Sequence, residues 1–264
     1  MQEVKNMPTK TKAAGKPKAP RARMPLGDVM TELEAAGSEQ TRKTYARHGA
    51  QQPMFGVSFA TLKTLYKRIG VDHELASALW ETSNFDARNL AVKVVDPSRL
   101  SEADLDSWAR ASRVQMVLGY VAHVTVETPY ALGRATAWLA TPSERAVGWM
   151  LVGAMALRDE TTPDAWFADR LGEIESSVHS APNAERGPMN HALIAIGSRN
   201  APLRELASAA AKRIGPVEVD HGDTACETID PGPRIEKTWA HSTSKGFASP
   251  AAHERSRESM RTRC

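Results

Sequence analysis

Three consecutive helical patterns between Val57 and Asp96 constrain the fold of this chain more than any other feature. In each pattern apolar residues recur at helical spacing. Ser58, Asp72 and Asn84 are suited to cap the three helix starts, because a side-chain oxygen can accept a backbone N–H of the first turn, and Gly70 is suited to end the first helix. A helix of about a dozen residues cannot hide so wide an apolar face alone, so the pattern predicts helices stacked on their neighbours, as in an α-solenoid.

Helical patterns continue on both sides of this stretch, and no strand pattern bounded by turn signals accompanies them. Three Thr-Pro pairs are each predicted to open a helix, with the threonine as cap and the proline at the first helical position. Residues 113–126 are the most apolar piece; their length and their setting between helices favour a buried helix over a strand. The fold class predicted is therefore all-α, a superhelical array. The further predicted helices are Leu26–Ala36, Ser38–His48, one from Ser101, 113–126, one from Thr128, one from Thr141, Thr161–Ser177, Gly187–Gly197 and Asn200–Gly215.

The composition changes towards both ends of the chain. Residues 1–25 contain seven Lys or Arg, one acid and four prolines, with almost no large apolar side chain, so we expect a disordered basic arm. Residues 216–239 lack helical periodicity and are predicted to form an extended segment packed on the last repeat. Residues 240–264 are rich in Ser, Arg and His and are predicted to be a disordered tail. The helical repeat domain is therefore predicted to span residues 26–215.

The basic character of the chain belongs to its two ends. The whole chain has 34 Lys and Arg against 31 Asp and Glu. Residues 1–25 and 240–264 hold twelve of these bases and three of these acids, which leaves 22 bases against 28 acids and a net charge of −6 between them. Any phosphate-binding surface on the folded part must therefore be a local patch, while the basic arm is as well explained by solubility as by nucleic acid.

Several function classes receive no support from the sequence. There is no apolar run of membrane-spanning length and no apolar secretory segment at the start, so we expect a cytoplasmic protein. The two cysteines, Cys226 and Cys264, provide neither a disulfide framework nor a CxxC pair. A zinc site made of His221, Cys226 and His241 is an alternative, but its spacing is a weak signal. We therefore expect neither a metal nor a cofactor.

Cationic side chains on the predicted helices are candidates for contact with nucleic acid. One group forms a basic face on the second helix, where binding and simple solvation explain the charges equally well. A second group is spread over later helices, where the usual situation of an arginine is solvation or an ion pair. The candidates are Arg42, Lys43 and Arg47 in the first group and Arg88, Arg145 and Arg199 in the second.

Four separated stretches carry a family pattern: EQTRKTYARHG at 39–49, FGVSF at 55–59, ARNLA at 87–91, and ALIAIGSRN at 192–200. Together they resemble the HEAT-like DNA alkylation repair family, whose active members are alkylpurine DNA glycosylases. The resemblance covers residues 26–215 and implies a superhelix whose concave face cradles duplex DNA. Duplex DNA, held through phosphate contacts, is thus the expected partner. The resemblance also places Arg145 in the DNA-facing groove.

The resemblance does not extend to the catalytic motif. Active members have a Trp-Asp-x-x-Asp motif whose carboxylate lies beside the deoxyribose, where it stabilises an oxocarbenium-like sugar, while aromatic walls face the cationic base. An ungapped placement puts Gln115 at the tryptophan, Gly119 at the catalytic aspartate and His191 at a second aromatic position. The nearest acids are Asp106 and Glu127. The sequence therefore lacks the expected catalytic carboxylate.

Two functions remain open on the sequence alone. The first is a DNA alkylation repair protein that binds duplex DNA, associates with the nucleoid when bound, and has at most a modified glycosylase activity. The second is a non-catalytic helical-repeat scaffold that binds a protein or a structured nucleic acid. The missing carboxylate favours the non-catalytic scaffold as far as mechanism is concerned. The wider resemblance favours the DNA alkylation repair protein as far as biological role is concerned.

Overall fold

The computed structural model describes residues 23–112 and 115–263, so residues 113–114 and nearly all of the expected basic arm lie outside the described residues. Within these two ranges all regular secondary structure is helical, so the predicted all-α fold class is confirmed. No helix in these ranges is long and apolar enough to span a bilayer. One 3-10 turn lies at Pro97–Arg99. The helices are α1 (Leu26–Ala35), α2 (Glu39–Arg47), α3 (Phe59–Ile69), α4 (His73–Glu81), α5 (Phe85–Val94), α6 (Glu102–Ala111), α7 (Gln115–Thr125), α8 (Ala131–Ala140), α9 (Arg145–Arg158), α10 (Asp164–Ser177), α11 (Asn183–Gly197), α12 (Ala201–Ile214), α13 (Pro231–Ser244) and α14 (Pro250–Arg255).

The helices stack in two layers. Helices α3, α5, α7, α9, α11 and α13 contact one another in succession, and α4, α6, α8, α10 and α12 pack against this row as the second members of helical pairs. Large apolar side chains fill the space between the layers, among them Leu105, Trp138, Trp149 and Phe167. This is the repeat architecture that the apolar periodicity predicts, because each helix buries its wide face only by stacking.

The predicted caps are confirmed in the stretch that organises the chain. Ser58 accepts from the Thr61 amide at 3.2 Å, and Asp72 accepts from the Leu75 amide at 3.1 Å. Gly70 ends α3 with a φ of 77°, a backbone conformation that favours glycine. Local capping chemistry therefore sets the boundaries of α3 and α4.

The predicted Thr-Pro openings at Thr128 and Thr141 are wrong, whereas the third pair, Thr162-Pro163, directly precedes α10 without capping it. Helix α8 begins only at Ala131 and α9 only at Arg145, and neither start has a side-chain cap. The threonine hydroxyls instead close the preceding helices: Thr128 donates to the Thr125 carbonyl at 2.8 Å and Thr141 to the Ala137 carbonyl at 3.0 Å. A threonine hydroxyl can donate to a carbonyl of the preceding helix or accept from an amide of the following one. The Thr-Pro dipeptide alone therefore does not show whether a helix ends or begins there. The helix predicted at Gly187–Gly197 also begins too late, since α11 begins at Asn183.

Residues 55–57 form a buried joint between α2 and α5. Their three amides donate to the carboxylate of Asp86, which is fully buried, at 2.6, 3.0 and 2.8 Å. Their three carbonyls accept from the Arg42 guanidinium at 3.0 Å, the Ser38 amide at 3.0 Å and the Tyr45 hydroxyl at 2.7 Å. Thus every backbone polar group of the joint is satisfied, and α2 is fixed relative to α5.

The C-terminal predictions differ from the structure. The segment expected to be extended over residues 216–239 is free of helix only up to Asp230, because α13 begins at Pro231. Ile235 and Trp239 anchor α13 in the core, and the Trp239 indole donates to the Gly197 carbonyl at 2.7 Å. The helix forms because these two apolar residues lie one turn apart and find a buried surface.

The tail expected to be disordered over residues 240–264 is also folded as far as residue 263. Helix α14 packs on α9. Arg261 then reaches the C-terminal end of α5, where it donates to the Val92 and Lys93 carbonyls at 3.0 and 2.9 Å, and it pairs with Glu127 at 2.9 Å. The buried Lys93 ammonium donates in return to the Arg261 carbonyl at 2.8 Å. These partners lie far away in the sequence, so the composition of the tail does not reveal them.

Candidate nucleic-acid interface

A cleft of ≈ 500 Å³ opens between the first and the last repeats of the described chain. The end of α2 contributes Arg47 and His48, the first turn of α7 contributes Met116, and α11 contributes Asn183 and His191. The remaining wall is residues 219–227, part of the segment between α12 and α13. The cleft therefore brings together elements from both ends of the repeat array.

Arg47 is the cation best placed to meet a phosphate in this cleft. It is the last residue of α2, and its side chain is exposed. Its guanidinium has no hydrogen bond or ion pair within residues 23–112 and 115–263. The joint at residues 55–57 holds the Tyr45 side chain, so the end of α2 is rigidly placed. A fixed helix end with an unpaired guanidinium suits contact with a phosphate oxygen.

The segment of residues 216–230 is fastened to α11 by three side chains. Asn183 binds the backbone of Asp220 twice, donating to its carbonyl at 2.8 Å and accepting from its amide at 2.8 Å. Asn190 donates to the Ile229 carbonyl at 2.7 Å, and Arg186 donates to the Glu218 carbonyl at 3.3 Å. The segment is thus an ordered wall of the cleft, although it contains no helix.

The charges in the cleft are mixed. Two carboxylates, Asp220 and Glu227, face one guanidinium and three imidazoles among the lining residues. Partial desolvation lowers the pKa of His191, and the nearby Arg234 and His221 lower it further. The cleft is therefore not uniformly cationic at neutral pH: phosphates are favoured at the α2 side and disfavoured beside the 216–230 segment.

Arg145, Arg42 and Lys43 lie outside the lining of the cleft. Arg145 begins α9, donates to the Leu139 carbonyl at 3.1 Å and lies 3.8 Å from the Glu185 carboxylate, with 39% of its side chain exposed. Burial raises the pKa of Glu185, and Arg145 opposes that shift. Lys43 is exposed and pairs with Glu39 at 2.8 Å. Arg145 and Lys43 remain accessible to a ligand, whereas Arg42 holds the joint.

Arg88 and Arg199, the other two candidates for nucleic-acid contact, make contacts within the fold. Arg199 is only 8% exposed, pairs with Asp164 at 3.0 Å and donates to the Thr162 carbonyl at 3.0 Å. Arg88 lies over the Trp80 ring and donates to the Trp80 and Ala111 carbonyls at 3.2 and 3.0 Å. Burial lowers the pKa of Arg88. Both guanidiniums hold neighbouring elements together, because each donates to backbone carbonyls of two different elements.

The described part of α6 and α7 supplies no carboxylate to the cleft. The Asp106 carboxylate binds the Arg134 guanidinium at 2.6 Å and the Trp138 indole at 2.8 Å, and Glu127 is paired with Arg261. A Cβ at Gly119 would meet no atom within 4 Å, so this position is open. The side chain of Gln115 lies outside the described part of the structure.

Sequence reasoning missed the acidic residues that do line the cleft. Asp220 and Glu227 belong to a segment without helical periodicity, and only the hydrogen bonds to α11 bring them to the site. The run of acids in residues 218–230 was visible in the sequence, but its place in the fold was not. The zinc alternative finds no support: within the described ranges no three His, Cys, Asp or Glu side chains are placed to hold a metal.

Comparisons with known proteins agree with this architecture. A family model described as DNA alkylation repair enzyme matches residues 29–207. The protein Lmo0209 of Listeria monocytogenes is 28% identical over 216 residues, covering 78% of this chain and 94% of that protein, and Lin0241 of Listeria innocua matches to the same extent.

A solved structure is also similar to this chain along most of both lengths. It is described as "a new family of proteins related to the HEAT-like repeat DNA glycosylases with affinity for branched DNA structures". Its TM-score is 0.75 with 30% sequence identity, and the match covers 85% of this chain and 96% of that chain. Since the family model alone spans more than half of the sequence, the chain belongs to the DNA alkylation repair enzyme family.

Proposed function

We propose that this protein binds DNA in the cleft between its first and last repeats, prefers branched DNA to a continuous duplex, and does not excise alkylated bases. The observation that carries the proposal is the unpaired Arg47 guanidinium at a rigid helix end in the cleft. The preference for branches is supported by the similar solved structure, whose description gives it affinity for branched DNA. The lack of excision is supported by Gly119 on α7, which has no side chain at the position that the family resemblance gives to the catalytic aspartate.

The test compares a three-way junction with a linear duplex of equal length by fluorescence anisotropy. Arg47→Ala should weaken junction binding about tenfold, as expected for the loss of one charge-assisted hydrogen bond. It should also lower the slope of log affinity against log salt by about 0.9, the value for one phosphate contact.

The matched control is Arg213→Ala, which removes the same charge from an exposed ion pair with Glu175 on α10. This variant should bind the junction like the unchanged protein, since a surface ion pair contributes little to stability. Equal losses in both variants would mean that overall charge, and not the cleft, governs binding. No junction binding by the unchanged protein at low salt would refute the proposal itself.

A further inference from the structure

The segment between α12 and α13 is the most acidic ordered piece of the cleft wall. Residues 216–230 contain five acids and no lysine or arginine. Two of the five, Asp220 and Glu227, line the cleft. No hydrogen bond or ion pair joins the Glu227 carboxylate to any residue that the structure describes. An acidic wall in a cleft that binds DNA needs a physical explanation, because phosphates repel carboxylates.

The acidic wall is held in place. Apart from the three side chains of α11, the buried Val217 fixes the start of the segment, and the buried Pro231 fixes its end. Within it, the His221 imidazole lies 3.1 Å from the Thr228 hydroxyl, and Thr224 donates to the His221 carbonyl at 2.9 Å. The backbone that carries the two carboxylates therefore stays in place when a ligand enters.

A continuous duplex fits this charge distribution poorly. Double-stranded DNA carries about one negative charge per 1.7 Å of axis, shared between two strands that face opposite sides. With one strand against Arg47, the second strand would bring its phosphates towards the carboxylates of the acidic wall. A single strand has no such second row of phosphates.

Carboxylates do suit the edges of unpaired bases. The N4 amino group of cytosine donates a hydrogen bond to Asp and Glu carboxylates in known complexes, and the amino groups of adenine and guanine are donors of the same kind. Thymine has no exocyclic amino group. Imidazole rings such as those of His191 and His221 can stack on bases that have left the duplex.

We propose that the cleft holds unpaired nucleotides of a DNA branch point, with phosphates towards Arg47 and base edges towards Asp220 and Glu227. This inference rests on the proposed function and gives it a structural basis, since unpaired bases distinguish a branch from a linear duplex. It predicts that affinity depends on the identity of the unpaired bases.

The experiment uses the full chain and three labelled DNAs: a three-way junction with unpaired cytosines at the branch, the same junction with thymines there, and a linear duplex. A free cytosine oligonucleotide serves as a fourth arm, to separate single strands from branches. The unchanged protein should bind the cytosine junction on the order of tenfold more tightly than the thymine junction, because a hydrogen bond to a charged group is lost with thymine.

The double variant Asp220→Ala/Glu227→Ala should lose this difference and bind the linear duplex on the order of tenfold more tightly, since like-charge repulsion is removed. The matched control is Asp169→Ala/Glu205→Ala, which removes two exposed carboxylates from the outer helices α10 and α12. The Asp220 carboxylate also accepts from the Gly222 amide at 2.8 Å, so replacing Asp220 removes a hydrogen bond within the segment as well. Glu227→Ala alone is therefore the second variant, and it should reduce the preference for the cytosine junction by at least half.

The outcomes separate the two proposals. Equal binding of the cytosine and thymine junctions by the unchanged protein overturns this inference alone. If the double variant binds all four DNAs more tightly by the same factor, the inference is overturned as well, because the carboxylates would then act only through overall charge. Absence of binding to every DNA overturns the proposed function together with the inference.

Discussion

Replacing Asp86 by alanine should destabilise this protein more than any replacement of an exposed acid. The carboxylate is fully buried and accepts three amide hydrogen bonds from residues 55–57. Each hydrogen bond to a charged group contributes about 1.5–3 kcal/mol, and an amide left unpaired in the interior is unfavourable as well. The three bonds share one acceptor group and are not additive, so we expect a loss of about 4 kcal/mol.

Thermal unfolding followed by circular dichroism at 222 nm measures this loss. For a domain of this size 1 kcal/mol lowers Tm by about 2–4 °C, so the Asp86→Ala variant should melt about 8–16 °C lower. The control is Asp104→Ala, which removes the exposed capping box of α6, where the carboxylate accepts from the Ser101 amide at 2.8 Å. A lost cap lowers stability by about 1 kcal/mol. If the two variants melt within about 3 °C of each other, the joint does not have the energetic role argued from its hydrogen bonds.

Three further predictions concern pH, the basic arm and chemistry. Burial, with Arg158 and Arg263 nearby, lowers the pKa of His123 to about 4. Below pH 6.5 the unfolded chain therefore binds a proton that the native state excludes, and the free energy of unfolding should fall by about 3 kcal/mol between pH 6.5 and 4. Urea titrations measure this loss, which His123→Gln should largely abolish. Deleting residues 1–25 should reduce the salt dependence of DNA affinity without changing the preference among DNAs, because Lys and Arg contacts to phosphates act by counterion release. An unchanged slope of log affinity against log salt excludes contact by the arm. Single-turnover assays on duplex DNA containing N7-methylguanine should detect no excision above the uncatalysed rate, and a rate like that of an active family glycosylase contradicts the proposed function.

The sequence was sufficient to predict the repeat architecture because the relevant signals are local. Ser58 and Asp72 cap their helices as their spacing predicts, and the apolar stripes of α3 to α5 account for the stacked layers. The same locality explains the wrong Thr-Pro openings. A threonine between two helices can bond in either direction, and only the finished backbone decides between them.

The family-like stretches were identifiable, but their physical role was not. Arg42 was a candidate for contact with nucleic acid, whereas the structure uses it, together with Tyr45 and residues 55–57, to join α2 to α5. Asp86 completes the joint from a position about 30 residues away, at the start of α5. A buried ionic group whose partners are all backbone amides leaves no periodic signal in the sequence, so its role appears only with the fold.

The C-terminal region shows why the site itself could not be predicted. Composition described residues 216–264 as polar and irregular, yet they supply α13, α14 and the acidic wall of the cleft. Each of these features depends on contacts with α5, α9 and α11, which composition does not record. The consequence is functional, since the carboxylates of the cleft come from the end of the chain and not from α7.

This change in the source of the carboxylates argues for binding rather than for base excision. Stabilising an oxocarbenium-like sugar requires a negative charge held in a preorganised position, and that requirement accounts for the size of the catalytic effect. The Glu227 carboxylate has no partner among the described residues that would fix its position, and the Asp220 carboxylate is engaged with the Gly222 amide of its own turn. Adjustable carboxylates suit hydrogen bonds to bases of varying position, which a branch point presents, but they do not place a charge against one sugar. The geometry of the acidic wall therefore supports the proposed function, in which the protein recognises DNA structure and leaves the glycosidic bond intact.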